Sequence, residues 1–250
     1  MEMPKDLFSA LSETYARYRP VYPTALFDYI MLFVQSRERA WDCATGNGQA
    51  AVQLCRYFKK VDATDISLSQ LAHAVEKENI IYSNCPAEHT AFTENSFDLI
   101  TVAQAYHWLH WKQFAEEATR VAKPGAVIAI WTYGLLNSDD QKLNDLVKYF
   151  YGSIVGAYWD KERKYVDEAY ATVDFDFAAL PGGEFSIQVN WSRAELTGYL
   201  ESWSAVQKYK IKNQSSPIEV IKEELCRLWD QDEIKSFSFP LYLKMGRIEK

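Results

Sequence analysis

Between residue 24 and about residue 132, stretches of helical periodicity take turns with short apolar runs, and this alternation limits the possible folds more than any other feature. "TALFDYIMLFVQ" puts Leu26, Phe27, Ile30, Phe33 and Val34 on one helical face. "AWDCA" is an apolar run, after which Val52, Cys55 and Phe58 resume helical spacing. "KKVDATD" reads as a second strand ending in an acid. Ser67 is placed to cap a helix whose expected inner face is Leu68, Leu71, Ala72 and Val75. "IIYS" and "FDLITVA" are the third and fourth strands, and "WKQFAEEATRVA" is a helix stopped by Lys123-Pro124-Gly125 before a fifth strand, "AVIAIW". The fourth and fifth strands are apolar without alternation, as strands buried on both faces must be. Strand and helix in strict turn imply right-handed crossovers and a parallel sheet.

After Trp131 the pattern changes. Residues 134 to about 182 read as helix and loop, with Leu143, Leu146, Val147 and Phe150 periodic. "GEFSIQVNW" and "FSFPLYLKM" then alternate cleanly, which predicts two half-exposed strands and an antiparallel edge. Ser192-Arg-Ala-Glu195 and Ser216-Pro-Ile-Glu219 both have the spacing of a capping box. The expected architecture is therefore α/β: a doubly wound, Rossmann-like, mostly parallel seven-stranded sheet with an antiparallel edge strand, plus a helical cap insertion. Residues 1–250 read as a single domain, with an N-terminal flap over 1–23 and the cap at about 134–182.

A net charge of −7 repels phosphate backbones, so no nucleic-acid partner is expected. The four cysteines are far apart with no C-x-x-C pair, which fits reduced thiols better than disulfides or zinc. "MEMPKDLFSA" has no signal-peptide apolar region, and no run approaches the ~18 apolar residues of a membrane span. The expectation is a cytoplasmic protein without membrane contact, monomer or homodimer. Aromatic residues reach 15%, enough to fill a core or to line a pocket for a flat or cationic ligand.

"WDCATGNGQAA" contains Gly46-x-Gly48-x-x-Ala51, with Asp65 about where a dinucleotide fingerprint wants an acid. The same letters fit S-adenosylmethionine. Asp42 decides between them: a carboxylate four residues before Gly46 would repel a pyrophosphate but suits a ligand carrying an ammonium and a sulfonium. A short-chain dehydrogenase would also want Tyr-x-x-x-Lys, and no lysine here has a tyrosine four residues before it.

"WDCATGNGQAA", "VDATD", "CPAEHTAF", "FDLITVAQAYHWL" and "RVAKPGAVIAIW" stand in the order and spacing of class I S-adenosylmethionine-dependent methyltransferases, which the chain resembles over nearly its whole length. "YARYRPVYP" and "WSRAELTGYLESWSAV" look more specifically like the trans-aconitate methyltransferase-like branch. The resemblance implies that Gly46 and Gly48 let the backbone approach the cofactor and that Asp42 holds its amino end, directly or through water. It implies further that Asp65, with Ile66 beside it, accepts from the ribose hydroxyls. Ala87 and Glu88 would contact adenine, and Gln104 and Ala105 the amino-acid moiety. Ala44 stands where the family usually has Gly, which is tolerable while its φ stays negative. Asp65 is equally placed to cap the helix near Ser67.

Methyl transfer is an in-line displacement, with the nucleophile about 3 Å from the methyl carbon. A carboxylate acceptor is already ionised and needs no base, whereas a phenol, amine or activated carbon does. Around the acceptor the candidates are Tyr15, Tyr18, Arg19, Tyr22, Tyr106, His107, Trp108 and Trp131. Arg19 could clamp a carboxylate or pair with a structural acid. His107 could act as base, orient the acceptor, or be structural. Nothing completes a metal set around His107 and His110. The expected activity is methylation of a small molecule, with O-methylation of a carboxylate implied by the branch and S-adenosylhomocysteine as the other product. N- or C-methylation of a metabolite is the alternative, and a non-catalytic cofactor-binding protein is the reading outside enzymes.

Overall fold

Five parallel strands form the centre of the computed structural model, which describes residues 18–250. Tyr15 and most of the expected N-terminal flap lie outside the described residues. The parallel strands are β1 (Arg39–Cys43), β2 (Lys60–Asp65), β3 (Ile80–Asn84), β4 (Phe97–Ala103) and β5 (Ala122–Tyr133). They lie in the order β3-β2-β1-β4-β5, so the direction of progression reverses between β1 and β4. That reversal opens a crevice beyond the C-terminal ends of these two strands.

Each strand's alternation feeds two cores. Ala40, Val61, Ala63, Leu99, Val127 and Ala129 face one side. There they meet Leu26, Phe27 and Ile30 of α1 (Thr24–Met31) and Leu54 of α2 (Gln49–Leu54). The intervening residues Trp41, Cys43, Ile100, Val102, Ile128 and Ile130 face the other side, against Phe114, Ala118 and Val121 of α4 (Trp111–Val121). A period of two with both faces buried is what an apolar, non-alternating strand requires. The opposite end of the sheet is closed by charge: the Asp98 carboxylate accepts from Glu38 N (3.0 Å), Arg39 N (2.9 Å) and Lys123 Nζ (2.7 Å).

Beside β5 the sheet turns antiparallel. The long strand β8 (Ile234–Arg247) pairs with β5 on one side and with β6 (Ala178–Leu180) and β7 (Glu184–Ser192) on the other. The sheet thus has eight strands rather than seven. The extra one arises because Pro181-Gly182-Gly183 interrupts what would otherwise be one edge strand; proline cannot donate to a ladder.

Two local expectations change. The helix after Ser67 is a single turn, α3 (Leu68–Leu71), and it buries Gln70 while Leu68 and Val75 are exposed. The Ser192/Glu195 box forms and opens α7 (Arg193–Glu201), with α8 (Ser204–Asn213) following. The Ser216/Glu219 box does not form. Pro217 occupies the N-cap of α9 (Ile218–Leu228), and the Ser216 hydroxyl accepts only from Ile218 N at 3.3 Å.

The segment expected as a cap is woven into both cores. It contains α5 (Gln141–Tyr149), capped by the Asp140 side chain, and α6 (Arg163–Asp167). Leu143, Val147, Phe150 and Val155 pack on one face of the sheet, while Val166, Tyr170 and Val173 pack on the other.

Candidate active site

A cavity opens where β1, β2, β3 and β4 end. Its walls are the loops after those strands, and it takes in Ala44, Gly46, Asp65, Ile66, Ala87, Glu88, Gln104 and Ala105 from the residues expected at a cofactor site. A loop at the end of a parallel strand can approach a ligand with its backbone, because the pleated segment behind it is already satisfied.

The turn after β1 owes its shape to three left-handed residues. Ala44 has φ 53°, Gly46 58° and Gly48 84°. The condition of a negative φ at Ala44 is not met: an alanine occupies the conformation that favours glycine, at a cost of about 1–2 kcal/mol. Gly46 lines the cavity and donates its N–H to Asp65 Oδ2 at 2.8 Å. Gly48 does not reach the cavity. A Cβ there would run into the Tyr82 ring, so its bareness makes room for packing rather than for the cofactor.

Asp42 is likewise displaced from its expected place. Its carboxylate is fully buried behind the turn and is no part of the wall. Oδ2 accepts from the Thr45 hydroxyl at 2.5 Å and Oδ1 from the Thr101 hydroxyl at 2.7 Å. Burial pushes its pKa up to about 6, with the two hydroxyls opposing the shift and the nearby Asp65 charge adding to it. Since Thr45 does line the cavity, Asp42 acts on the site through Thr45.

Asp65 ends β2 and faces the cavity. One oxygen accepts from Gly46 N and the other from Ser67 N, both at 2.8 Å. Ser67, not Asp65, is the cap of α3. The carboxylate thereby ties the turn after β1 to the loop after β2 at the edge of the cavity. Glu88 lines the cavity while accepting from His110 N, at the start of α4, at 2.9 Å.

A second, smaller cavity adjoins the first, and Gln104 and Trp108 border both. Arg19 and His107 are found there, with Trp159, Asp160 and Arg163 from the cap and Trp203 and Ser204 from the α7–α8 region. Arg19 donates to the Tyr133 hydroxyl at 2.9 Å. Arg163 stacks on Trp159, 4.7 Å from the ring centroid, and its Nε donates to the Tyr151 hydroxyl at 2.8 Å. Asp160 is neutralised by Lys208. Arg163 also pairs with Asp167 at 3.3 Å, so the second cavity is walled by tryptophans and holds two guanidiniums beside the carboxylates of Asp160 and Asp167.

His107 is buried at the edge of the second cavity. Burial, then the charge of Arg163, lowers its pKa to about 3, and Nδ1 lies 2.8 Å from the Tyr170 hydroxyl. A neutral imidazole that resists protonation is a weak proton acceptor but a good fixed dipole. Tyr106 is buried with its hydroxyl donated to Asp174 O (2.7 Å), and Trp131 is buried under Tyr22 in an edge-on contact at 5.5 Å. Of the aromatic residues at the strand ends, only Trp108 borders the cavities, whereas Tyr22 joins it from the N-terminal stretch. Arg163 and Trp159 carried no sequence signal, and Trp203, within the quoted "WSRAELTGYLESWSAV", was not expected at the site, because the three come together only in the folded chain.

An open sheet with its reversal at β1/β4 and a crevice beyond it is a Rossmann-like fold, which places its ligand site there. A methyltransferase-domain family model matches residues 41–130, the span from β1 into β5. A protein assigned as a methyltransferase in Dictyostelium discoideum is 32% identical over 98% of this chain and 95% of its own. A solved structure from Anaeromyxobacter dehalogenans, assigned as a type II methyltransferase, superposes with a TM-score of 0.86 at 33% identity, covering 93% of this chain and 99% of that one. An uncharacterized methyltransferase from Mycobacterium tuberculosis is 27% identical over 66% of each chain. The chain belongs to the class I S-adenosylmethionine-dependent methyltransferases. Among the described residues no helix is long and apolar enough to cross a membrane.

Proposed function

We propose that the protein transfers a methyl group from S-adenosylmethionine to a carboxylate oxygen of a small acceptor. One observation carries this reading: the cavity adjoining the cofactor cavity sets the guanidiniums of Arg19 and of Arg163, the latter also paired with Asp167 at 3.3 Å, within aromatic walls, and burial lowers the pKa of the imidazole described there, His107. An acceptor that is already an anion needs what is present, a counter-charge, and does not need what is weak, a proton acceptor.

The cofactor cavity fits the group. Gly46 gives a wall without a Cβ, Asp65 accepts at the end of β2, and Ile66, Ala87 and Leu109 supply apolar surface for a flat base. When bound, S-adenosylmethionine supplies an electrophilic methyl on a sulfonium. The chain does the rest. Asp65 holds the ribose and Gly46 together, and Thr45, braced by Asp42, keeps the turn in place. Trp108, Trp159 and Trp203 exclude water, which would otherwise screen the attraction between acceptor and sulfonium. Arg163 is preorganised by its stacking, so little side-chain entropy is lost on docking an anion.

The test uses S-adenosylmethionine labelled in its methyl group and a pool of small acids, amines and phenols. A carboxylate ester releases labelled methanol in mild alkali, whereas a methylated amine, carbon or phenol retains the label. Alkali-labile label supports the reading. Transfer only to the amine or phenol pools would overturn it.

A further inference from the structure

Gln104 stands at the junction of the two cavities in an arrangement that leaves one face of its amide committed and the other open. It follows β4 directly, with φ 55°, a left-handed conformation rare for a side chain of its size. The backbone is held there by its own N–H, which donates to Trp131 O at 2.8 Å. The side-chain oxygen accepts twice, from the Thr132 hydroxyl at 2.7 Å and from Tyr133 N at 2.8 Å.

Those two bonds settle which way the amide points. Tyr133 N–H can only donate, so the atom facing it is the carbonyl oxygen and the amide nitrogen faces away. Among the described residues that nitrogen has no hydrogen-bond partner, and the residue borders both cavities. A strained, doubly pinned side chain that offers two N–H donors at the meeting point of two cavities is built for a ligand atom there.

We propose that Gln104 binds the acceptor carboxylate and aims it. This rests on the carboxylate reading of the second cavity. One amide N–H donates to the spectator oxygen of the carboxylate, and the other oxygen is left directed at the methyl carbon. That oxygen forms the new C–O bond, the S–C bond breaks, and its electron pair stays on sulfur as a thioether. No proton moves, and the negative and positive charges cancel. A neutral donor suits this step because it holds the oxyanion without lowering its nucleophilicity as an ion pair would. Arg163 and Arg19 line the second cavity without lining the first, on the side from which the acid is taken to enter.

The test is a titration of the S-adenosylhomocysteine-saturated protein with benzoate, cinnamate, succinate and citrate, each beside its neutral amide. It is run on the wild type, Gln104→Leu and Gln104→Glu. The expected result is that at least one acid binds in preference to its amide. That binding then weakens about tenfold to a hundredfold in Gln104→Leu, and more in Gln104→Glu, where a carboxylate replaces the donors. Folding of all three proteins is certified by an unchanged urea midpoint, and S-adenosylhomocysteine affinity is measured separately for each. Equal acid binding in all three would overturn the role of Gln104 and leave the carboxylate reading standing. A parallel loss of S-adenosylhomocysteine affinity would make Gln104 a cofactor contact instead. Failure of every acid to exceed its amide would defeat the carboxylate reading itself, and this proposal with it.

Discussion

Replacing Asp42 by asparagine should make the protein more stable at neutral pH while weakening its cofactor site. The carboxylate is fully buried and its pKa stands at about 6, against 3.8 for the unfolded group. A folded-state pKa raised above the unfolded one gives stability that is complete below about 3.8 and is lost as pH rises through about 6. About two pKa units correspond to about 3 kcal/mol of destabilisation at pH 7.5 relative to strongly acidic solution. Roughly 1.4 kcal/mol of that loss falls between pH 5 and pH 7.5, where urea denaturation is practical. Asparagine does not titrate, and it can still accept from one threonine hydroxyl while donating to the other. Any fixed offset from the amide cancels when the two stability curves are subtracted. The difference, variant minus wild type, should therefore rise by about 1.4 kcal/mol from pH 5 to pH 7.5. Parallel curves would mean that Asp42 titrates normally and that burial does not dominate its environment. In the same variant, S-adenosylmethionine affinity should fall, because Thr45 loses its charged brace.

Three further outcomes follow from the same geometry. Ala44→Gly should relieve the left-handed strain at φ 53° and raise stability by up to about 1 kcal/mol in urea, with cofactor affinity unchanged or tighter. Gly48→Ala should cost about 3 kcal/mol, combining backbone strain with the displacement of Tyr82, and Gly48→Ala with Tyr82→Ala should recover the steric share. Arg163→Met should raise the KM for a carboxylate acceptor at least about tenfold with little change in the Kd for S-adenosylhomocysteine; an unchanged KM would remove Arg163 from the acceptor site.

Much of this was legible in the chain, and the exceptions share a cause. The apolar runs at Phe97–Ala103 and Ala126–Trp131 could be read as doubly buried strands because their burial is local and repetitive. The acid ending β2, the glycine turn and the Ser192/Glu195 box were legible because each depends on neighbours within a few residues. The second cavity was not. Arg163 and Trp203 are forty residues apart and meet only through the cap. Leu68 and Val75 misled because a helical face was assumed where the chain makes one turn and buries Gln70 instead. Asp42 and Gly48 were expected at the cofactor, yet they support the turn from behind, a distinction that only the third dimension makes. His107 follows β4 at the second cavity, and its burial, invisible in the letters around it, lowers its pKa to about 3.

The central claim is that the cavity beyond β1, β2 and β4, with Asp65 at its edge, is an S-adenosylmethionine site. Calorimetric titration of the purified chain with S-adenosylhomocysteine, on wild type and Asp65→Ala, tests it most directly. One-to-one micromolar binding is expected, weakened at least about tenfold in the variant. Absence of heat with S-adenosylhomocysteine, alongside binding of a nicotinamide dinucleotide, would contradict it.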